Sequence, residues 1–398
     1  MADPSTLSTI SPGAKLSIRA VGKVSDIDKA AWDGLDHGPS PFLKHGFLAA
    51  LEASGSTGKR AGWLPVYLLA ELDGALVGGV AAFIKNHSYG EYIFDWGWAN
   101  AASRAGLDYY PKLVVAAPAT PATGKRILLA PGPHREVIAE ALIAAVRAVA
   151  DDADCSSIHW LFCTEDEQRL LVDNGHFARA SFQFHWKNAS YGSFDDFLGA
   201  LKSRKRKQLR KERSRAKAEI DRLSWITGAE VDSQQLDDLD RFYRITTGEH
   251  GGRDYLRPGF FHELAKRLPD EMRMVEVVKA GRRIAGALFL ETPHALYGRY
   301  WGADTHVDLL HFETAYYAGI ERAIDQRIPL FEAGAQGEHK LLRGFAPAPT
   351  YSAHWIRHAG LSAAIEDYTR REAHAVAAEL DEMAKYGPYR SGDGDDSE

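Results

Sequence analysis

Glu332, Glu338, His339, Lys340 and Arg343 fall within twelve residues of one segment, Phe331–Phe345, which reads FEAGAQGEHKLLRGF. Together they supply carboxylates, an imidazole and two cations, the groups needed to move a proton and hold developing charge. Gly334, Gly337 and Gly344 punctuate the segment and allow sharp turns and close approach of backbone to a ligand. Ile328-Pro329-Leu330-Phe331 ahead of it reads as a short buried strand. Ionisable groups at the end of a buried strand are a common place for chemistry. The plainer reading is a polar connection in which Glu332 caps the next helix and His339 is a hydrogen-bonded structural residue.

The elements that must carry this segment belong to a chain of 398 residues, enough for two domains with a sizeable core. Hydrophobic residues make up 45% and charged residues 26%, with a formal charge of −6, all ordinary for a globular protein. The two cysteines, Cys155 and Cys163, make neither a disulfide framework nor a zinc site; their apolar context predicts buried thiols in a reducing compartment. No metal-ligand spacing such as H-E-x-x-H occurs. The N-terminus lacks the apolar core of a secretory signal, and no segment reaches the roughly 18 apolar residues of a bilayer span. These features predict a cytoplasmic protein and leave open peripheral contact with the inner membrane.

The pattern predicts a flexible tail over residues 1–14, an N-terminal domain over 15–190, a basic helix over 191–222, a C-terminal domain over 223–386 and an acidic disordered tail over 387–398. Strands over Tyr67–Ala70 and Ala75–Ile84 meet at Asp73-Gly74, a hairpin signal. The same design recurs 207 residues later around Gly281, between MVEVV and ALFLE. Trp96-Gly97 and Trp301-Gly302 add a third match at nearly the same offset, so the spacing predicts a tandem duplication. Helices are expected over Asp26–Leu35, Phe47–Ala53, Val137–Ala150, His311–Ile324 and Leu361–Lys385, and a strand over Tyr351–Arg357.

Between the two copies, Ser193 with Asp196 at N3 reads as a helix start. Lys202–Lys217 then holds ten Lys or Arg in sixteen residues against one Glu. Like charges this dense repel along a helix, and an anionic partner relieves that cost: coenzyme phosphate, RNA backbone or lipid headgroups. Aromatic residues are not interleaved, which argues against a base-stacking platform.

Four stretches carry a family resemblance: FDWGWANAASRAGLDYYPKL (Phe94–Leu113), LKSRKRKQLRKER (Leu201–Arg213), YGRYWG (Tyr297–Gly302) and the Phe331–Phe345 segment. With them the chain, from about Trp32 to Tyr386, resembles the FemAB-like group of the GNAT superfamily, known for peptidoglycan biosynthesis or recognition. The resemblance implies an α/β architecture of two tandem GNAT-like acyl-CoA N-acyltransferase folds, mixed twisted sheets flanked by helices. Bacterial ceramide synthases look similar in type. Two departures stand out: the plain pyrophosphate loop, Gln/Arg-x-x-Gly-x-Gly/Ala, is absent, and the Lys340 to Gly344-Phe345 spacing is looser than in Fem transferases.

The implied reaction moves an acyl group from a CoA or carrier-protein thioester to a primary amine, with acyl-CoA a co-substrate and no permanently bound cofactor. The amine must lose a proton, for which His311, His339, Glu313, Glu332 and Glu338 are candidates, with Lys340 completing the catalytic set. Backbone N–H groups around Gly334–Gly337, or Tyr297, Arg299 and Tyr300, are candidates for the oxyanion. Asp95, Trp96, Tyr110, Trp301 and Tyr316 join them as candidate substrate contacts, Asp95 being equally suited to pair with Arg104 or Lys112. Arg204, Lys205, Lys207, Arg210, Lys211 and Arg343 are the expected grip on donor phosphates. The expected acceptor is a hydrophobic amine such as a sphingoid base. The alternatives are a Fem-type transferase using aminoacyl-tRNA and a non-catalytic module that recognises a cell-wall or membrane ligand. The second copy is the favoured site because the ionisable segment occurs only there.

Overall fold

A computed structural model describes residues 14–249, 252, 254–334 and 337–390. Both tails, Gln336 and the side chain of Glu338 lie outside the described residues, as do the backbone donors at 335 and 336. In chain order the first strands are Leu16–Val21 (β1), Leu64–Leu72 (β2), Ala75–Lys85 (β3), Lys112–Val115 (β4), Leu128–Leu129 (β5) and Ser157–Cys163 (β6). Phe177–Lys187 (β7), Arg222–Thr227 (β8), Met272–Lys279 (β9), Arg282–Glu291 (β10), Ala295–Ala303 (β11), Leu330–Glu332 (β12) and Ala346–Ile356 (β13) follow.

The chain forms two compact units, residues 14–181 with 350–375, and 182–349 with 376–390. Neither is a single continuous segment. In the first, the strands run β1-β2-β3-β4-β6-β13, with the β4–β6 pair parallel and the other pairs antiparallel. In the second, the order β8-β9-β10-β11-β12-β7 repeats that scheme, with β11–β12 the parallel pair. Each unit buries its own apolar core: Leu68, Val80, Leu142 and Trp160 in the first, Trp186, Phe289, Ile320 and Phe331 in the second.

The matched hairpins are equivalent in detail. Asp73-Gly74 and Ala280-Gly281 both turn with positive φ at the two central positions, the twist that a two-residue hairpin loop requires. In each hairpin one residue drops out of register beyond the turn, Val77 in one and Ile284 in the other, again 207 positions apart. The Trp-Gly match does not share this equivalence. Trp96-Gly97 opens the helix Trp96–Arg104, whereas Trp301-Gly302 lies within β11.

Several other elements differ from the sequence expectation. The stretch 26–35 contains only a short helix, Lys29–Asp33, capped by Asp28. The region 191–222 holds two helices, Phe194–Gly199 and Ser203–Ala218, because Leu201 turns in to pair with Tyr389 and Lys202 donates to the Pro388 carbonyl. The helix expected from His311 starts at Leu310 but contains a π turn at Glu313–Tyr317 before continuing as Ala318–Asp325. Such turns are frequent at functional sites. Among the described residues no helix is long and apolar enough to cross a membrane.

Candidate active site

Parallel pairing of β11 with β12 closes at Tyr297 opposite Glu332. There β12 ends, while β11 runs on to Ala303 with β10 beside it. Arg299 is the residue that drops out of the β10–β11 register, Leu288 pairing with Tyr300 and Phe289 with Gly298. A bulge of this kind re-aims a side chain and bends a strand away from its neighbour. The sequence favours it locally, since Gly298 lets the Phe289 and Phe331 rings approach closely.

The side chains of Arg299 and Glu332 form a buried ion pair at 3.5 Å, and Arg299 also donates to the Glu332 carbonyl. Lys340 is buried beside them and donates to the Gly334 carbonyl at 2.8 Å. Burial, and then the Arg299 charge, bring the Lys340 ammonium down to about 7. His185, paired in register with Glu332, is kept neutral by burial and the same cations, at about 4. Nothing in the alternating run FQFHWK singles His185 out, and sequence reasoning missed it.

Outward from this charged centre, the Tyr316 hydroxyl and His339 Nε2 lie 2.9 Å apart. Burial raises Tyr316 to about 12; burial, followed by the Arg343 and Lys340 charges, lowers His339. The His311 ring lies 5.2 Å from Tyr316, 6.3 Å from His339 and 4.8 Å from Trp301 between centroids. A cavity of about 310 Å³ opens at the free end of β11, lined by Trp301, Val307, His311 and Phe312, with Glu249 and Asp304 at its wall. Two imidazoles therefore line the cavity, the exposed His306, 3.1 Å from Asp308, and His311; His339, Tyr316 and Lys340 stand behind His311.

Two expected roles do not fit the geometry. Glu313 is buried and takes two hydrogen bonds from Arg213 Nε and Nη2, with Lys217 at 3.6 Å. A carboxylate held in a fork by guanidinium is not poised to accept a substrate proton. Arg343 is also buried, donates to Glu212 at 2.9 Å and lies 3.5 Å over the Phe312 ring, so it cannot grip an incoming phosphate. Both serve to dock the basic helix. Its inner face, Leu209, Glu212, Arg213 and Ala216, is buried, whereas Arg204, Lys207, Arg210 and Lys211 are exposed. Lys205 is half-buried and donates to Gln208.

Tyr297 is fully buried at the closed end of the strand pair, and Tyr300 packs against Tyr243 and Phe261. Asp95, Trp96 and Tyr110 belong to the first unit and are not part of this cluster. Asp95 accepts from Lys112 and from the Tyr109 hydroxyl. Burial would raise its carboxyl, and Lys112 outweighs that to hold it below the usual range. Of the two partners considered for Asp95, Lys112 is the one found. Trp96 is partly exposed beside Tyr89, and Tyr110 bonds Ser88.

The equivalent end of the first unit is occupied. Beyond Val115, residues 116–130 are almost wholly buried. Arg126 donates to the Leu161 and Ala122 carbonyls, and Glu167 accepts from the amides of Arg126 and Ile127. Both cysteines are free and buried, and among the described residues no group of three His, Cys, Asp or Glu is placed to hold a metal ion.

Residues 23–391 match the model of a family described as FemAB-like, peptidoglycan biosynthesis/recognition. No curated protein matches the chain. Among solved structures, FemX aligns with a TM-score of 0.52 at 11% identity, covering 87% of this chain and 100% of FemX. A conserved protein of unknown function from Bacteroides thetaiotaomicron aligns at 0.51 and 13% identity, covering 85% and 99%. L-PGS from Bacillus licheniformis aligns at 0.50 and 12% identity, covering 81% and 94%. At such identities the likeness is one of fold: two units in tandem, each with a mixed sheet and flanking helices.

Proposed function

The chain belongs to the FemAB-like peptidoglycan biosynthesis/recognition family, and from that premise we propose that it is an amide-forming N-acyltransferase working in its second unit. The observation that carries this reading is the cavity at the free end of β11, with His311 on its wall and Tyr316, His339 and Lys340 behind it. The filled end of the first unit supports the choice of copy.

In this reading the amine nitrogen attacks the acyl carbonyl carbon and His311 takes the proton it sheds. The carbonyl oxygen gains negative charge, which calls for a donor facing the cavity; Tyr316, His339 and Lys340, behind His311, hold the imidazole in place and set the charge around it. The carbon–sulfur bond of the thioester then breaks, and the His311 proton goes to the departing thiolate. The apolar wall of Trp301, Val307 and Phe312 suits a hydrophobic acyl or amine chain, and a sphingoid base is one amine of that class.

A Fem-type reaction with an aminoacyl-tRNA donor uses the same attack with a ribose hydroxyl as leaving group. The family match favours it, and the exposed cations of the basic helix would suit an RNA backbone. Thiol release from acyl-CoA of graded chain length, in the presence of a long-chain amine, tests the first reading against transfer from charged tRNA. Turnover with thioester that disappears in His311→Ala supports it. Turnover with charged tRNA alone replaces it.

A further inference from the structure

Seven of the ten cations of Lys202–Lys217 fall into two sets. Arg213 and Lys217 are engaged by Glu313 and Glu321, and Arg210 pairs with Asp195. Arg204, Lys207 and Lys211, by contrast, have no ion pair among the described residues, and Arg215 meets Asp308 only at 3.5 Å. At 100° per residue these four fall on one stripe, opposite Leu209, Glu212, Arg213 and Ala216, which seat the helix against the π turn and the Glu338–Arg343 helix. The stripe runs roughly 16 Å at 1.5 Å per residue. Because it faces away from the docked side, it is badly placed to hold the phosphates of a donor whose acyl group lies beside His311.

A row of exposed cations, three of them without an ion pair among the described residues, matches by charge the headgroups of an anionic bilayer surface. A single-stranded nucleic acid would call for aromatic rings between the cations, and the helix offers none.

We propose that the outer stripe Arg204–Lys207–Lys211–Arg215 docks the protein onto an anionic lipid bilayer. This surface is separate from transfer out of a thioester, and it is the alternative to the use of the same cations by a tRNA donor.

The test is co-sedimentation of the full chain with phosphatidylcholine vesicles, with and without about one third phosphatidylglycerol. The proposal expects binding only to the anionic vesicles, weakening with salt. With a contribution of about 1 kcal/mol per cation, Arg204→Gln/Lys207→Gln/Lys211→Gln should lower the partition coefficient on the order of 10²-fold. Inorganic phosphate at millimolar concentration should not compete; competition would identify a free-phosphate site and overturn the proposal. Equal binding to neutral vesicles, an unaffected triple variant with an unchanged melting temperature, or retention on tRNA but not on vesicles would each overturn it as well.

Discussion

Glu212, the one acid among the ten cations of Lys202–Lys217, accepts a hydrogen bond from Arg343 at 2.9 Å, and both side chains are nearly buried. The Tyr317 hydroxyl donates to the same carboxylate. A helix that would otherwise be held off by its own repulsion is thereby fixed to the π turn and to the segment that carries Lys340.

Breaking that pair leaves a buried guanidinium without its carboxylate. Glu212→Ala is expected to cost about 3–5 kcal/mol in urea unfolding, the range for removing one partner of a buried ion pair. The double variant Glu212→Leu/Arg343→Met should cost less than Glu212→Ala alone. A larger loss in the double variant would show that the pair does not anchor the helix.

His311 lines the cavity and makes ring contacts with Trp301, Phe312 and Tyr316. His311→Ala should lower kcat about 10²–10⁴-fold, the usual worth of a positioned acid–base group, while the melting temperature moves little. His311→Asn, which keeps the ring's approximate bulk without its basicity, should be as inactive. Wild-type kcat in either variant would remove His311 from the mechanism.

Lys340 titrates near 7 in the folded protein against an ordinary lysine value of 10.5, because burial and Arg299 disfavour its charge. Between these values the unfolded chain holds a proton there that the folded chain does not. Its contribution therefore makes stability rise with pH from about 7 to about 10.5. Lys85, also lowered to about 7 by burial, acts in the same direction. Lys340→Met should flatten part of the rise in a series of urea titrations across this window. An unchanged slope would contradict the depressed value.

The two Trp-Gly pairs give a further contrast. A Cβ at Gly302 would lie 2.1 Å from the Phe242 carbonyl oxygen, whereas one at Gly97 meets nothing within 4 Å. Gly302→Ala should cost about 1–3 kcal/mol or more, as overpacking does. Gly97→Ala, in a helix, should be neutral or stabilising by up to about 1 kcal/mol. Equal responses in thermal denaturation would mean that β11 does not pack on the helix Ser233–Glu249 as described.

Much of this protein was legible in its residues. Alternating apolar runs and the Asp73-Gly74 and Ala280-Gly281 turns established the duplicated hairpin, because turn geometry and side-chain period are local properties. Ser193 and Asp196 marked a helix start for the same reason. The helix from His311 showed in the spacing of Phe312, Tyr316, Ile320 and Ile324, though not its π turn, and the long final helix showed in its Ala, Glu and Arg content. What the sequence could not decide was which charges meet. Glu313 and His311 are two residues apart, yet the first is clasped by Arg213, 100 positions away, and the second faces a cavity. Trp96-Gly97 and Trp301-Gly302 are identical dipeptides, one in a helix and one in a strand, because packing against distant elements overrides local preference. Burial, ion pairing and the point where β12 leaves β11 depend on residues brought together by the whole fold, and those contacts set the charge of Lys340 and the faces of the basic helix.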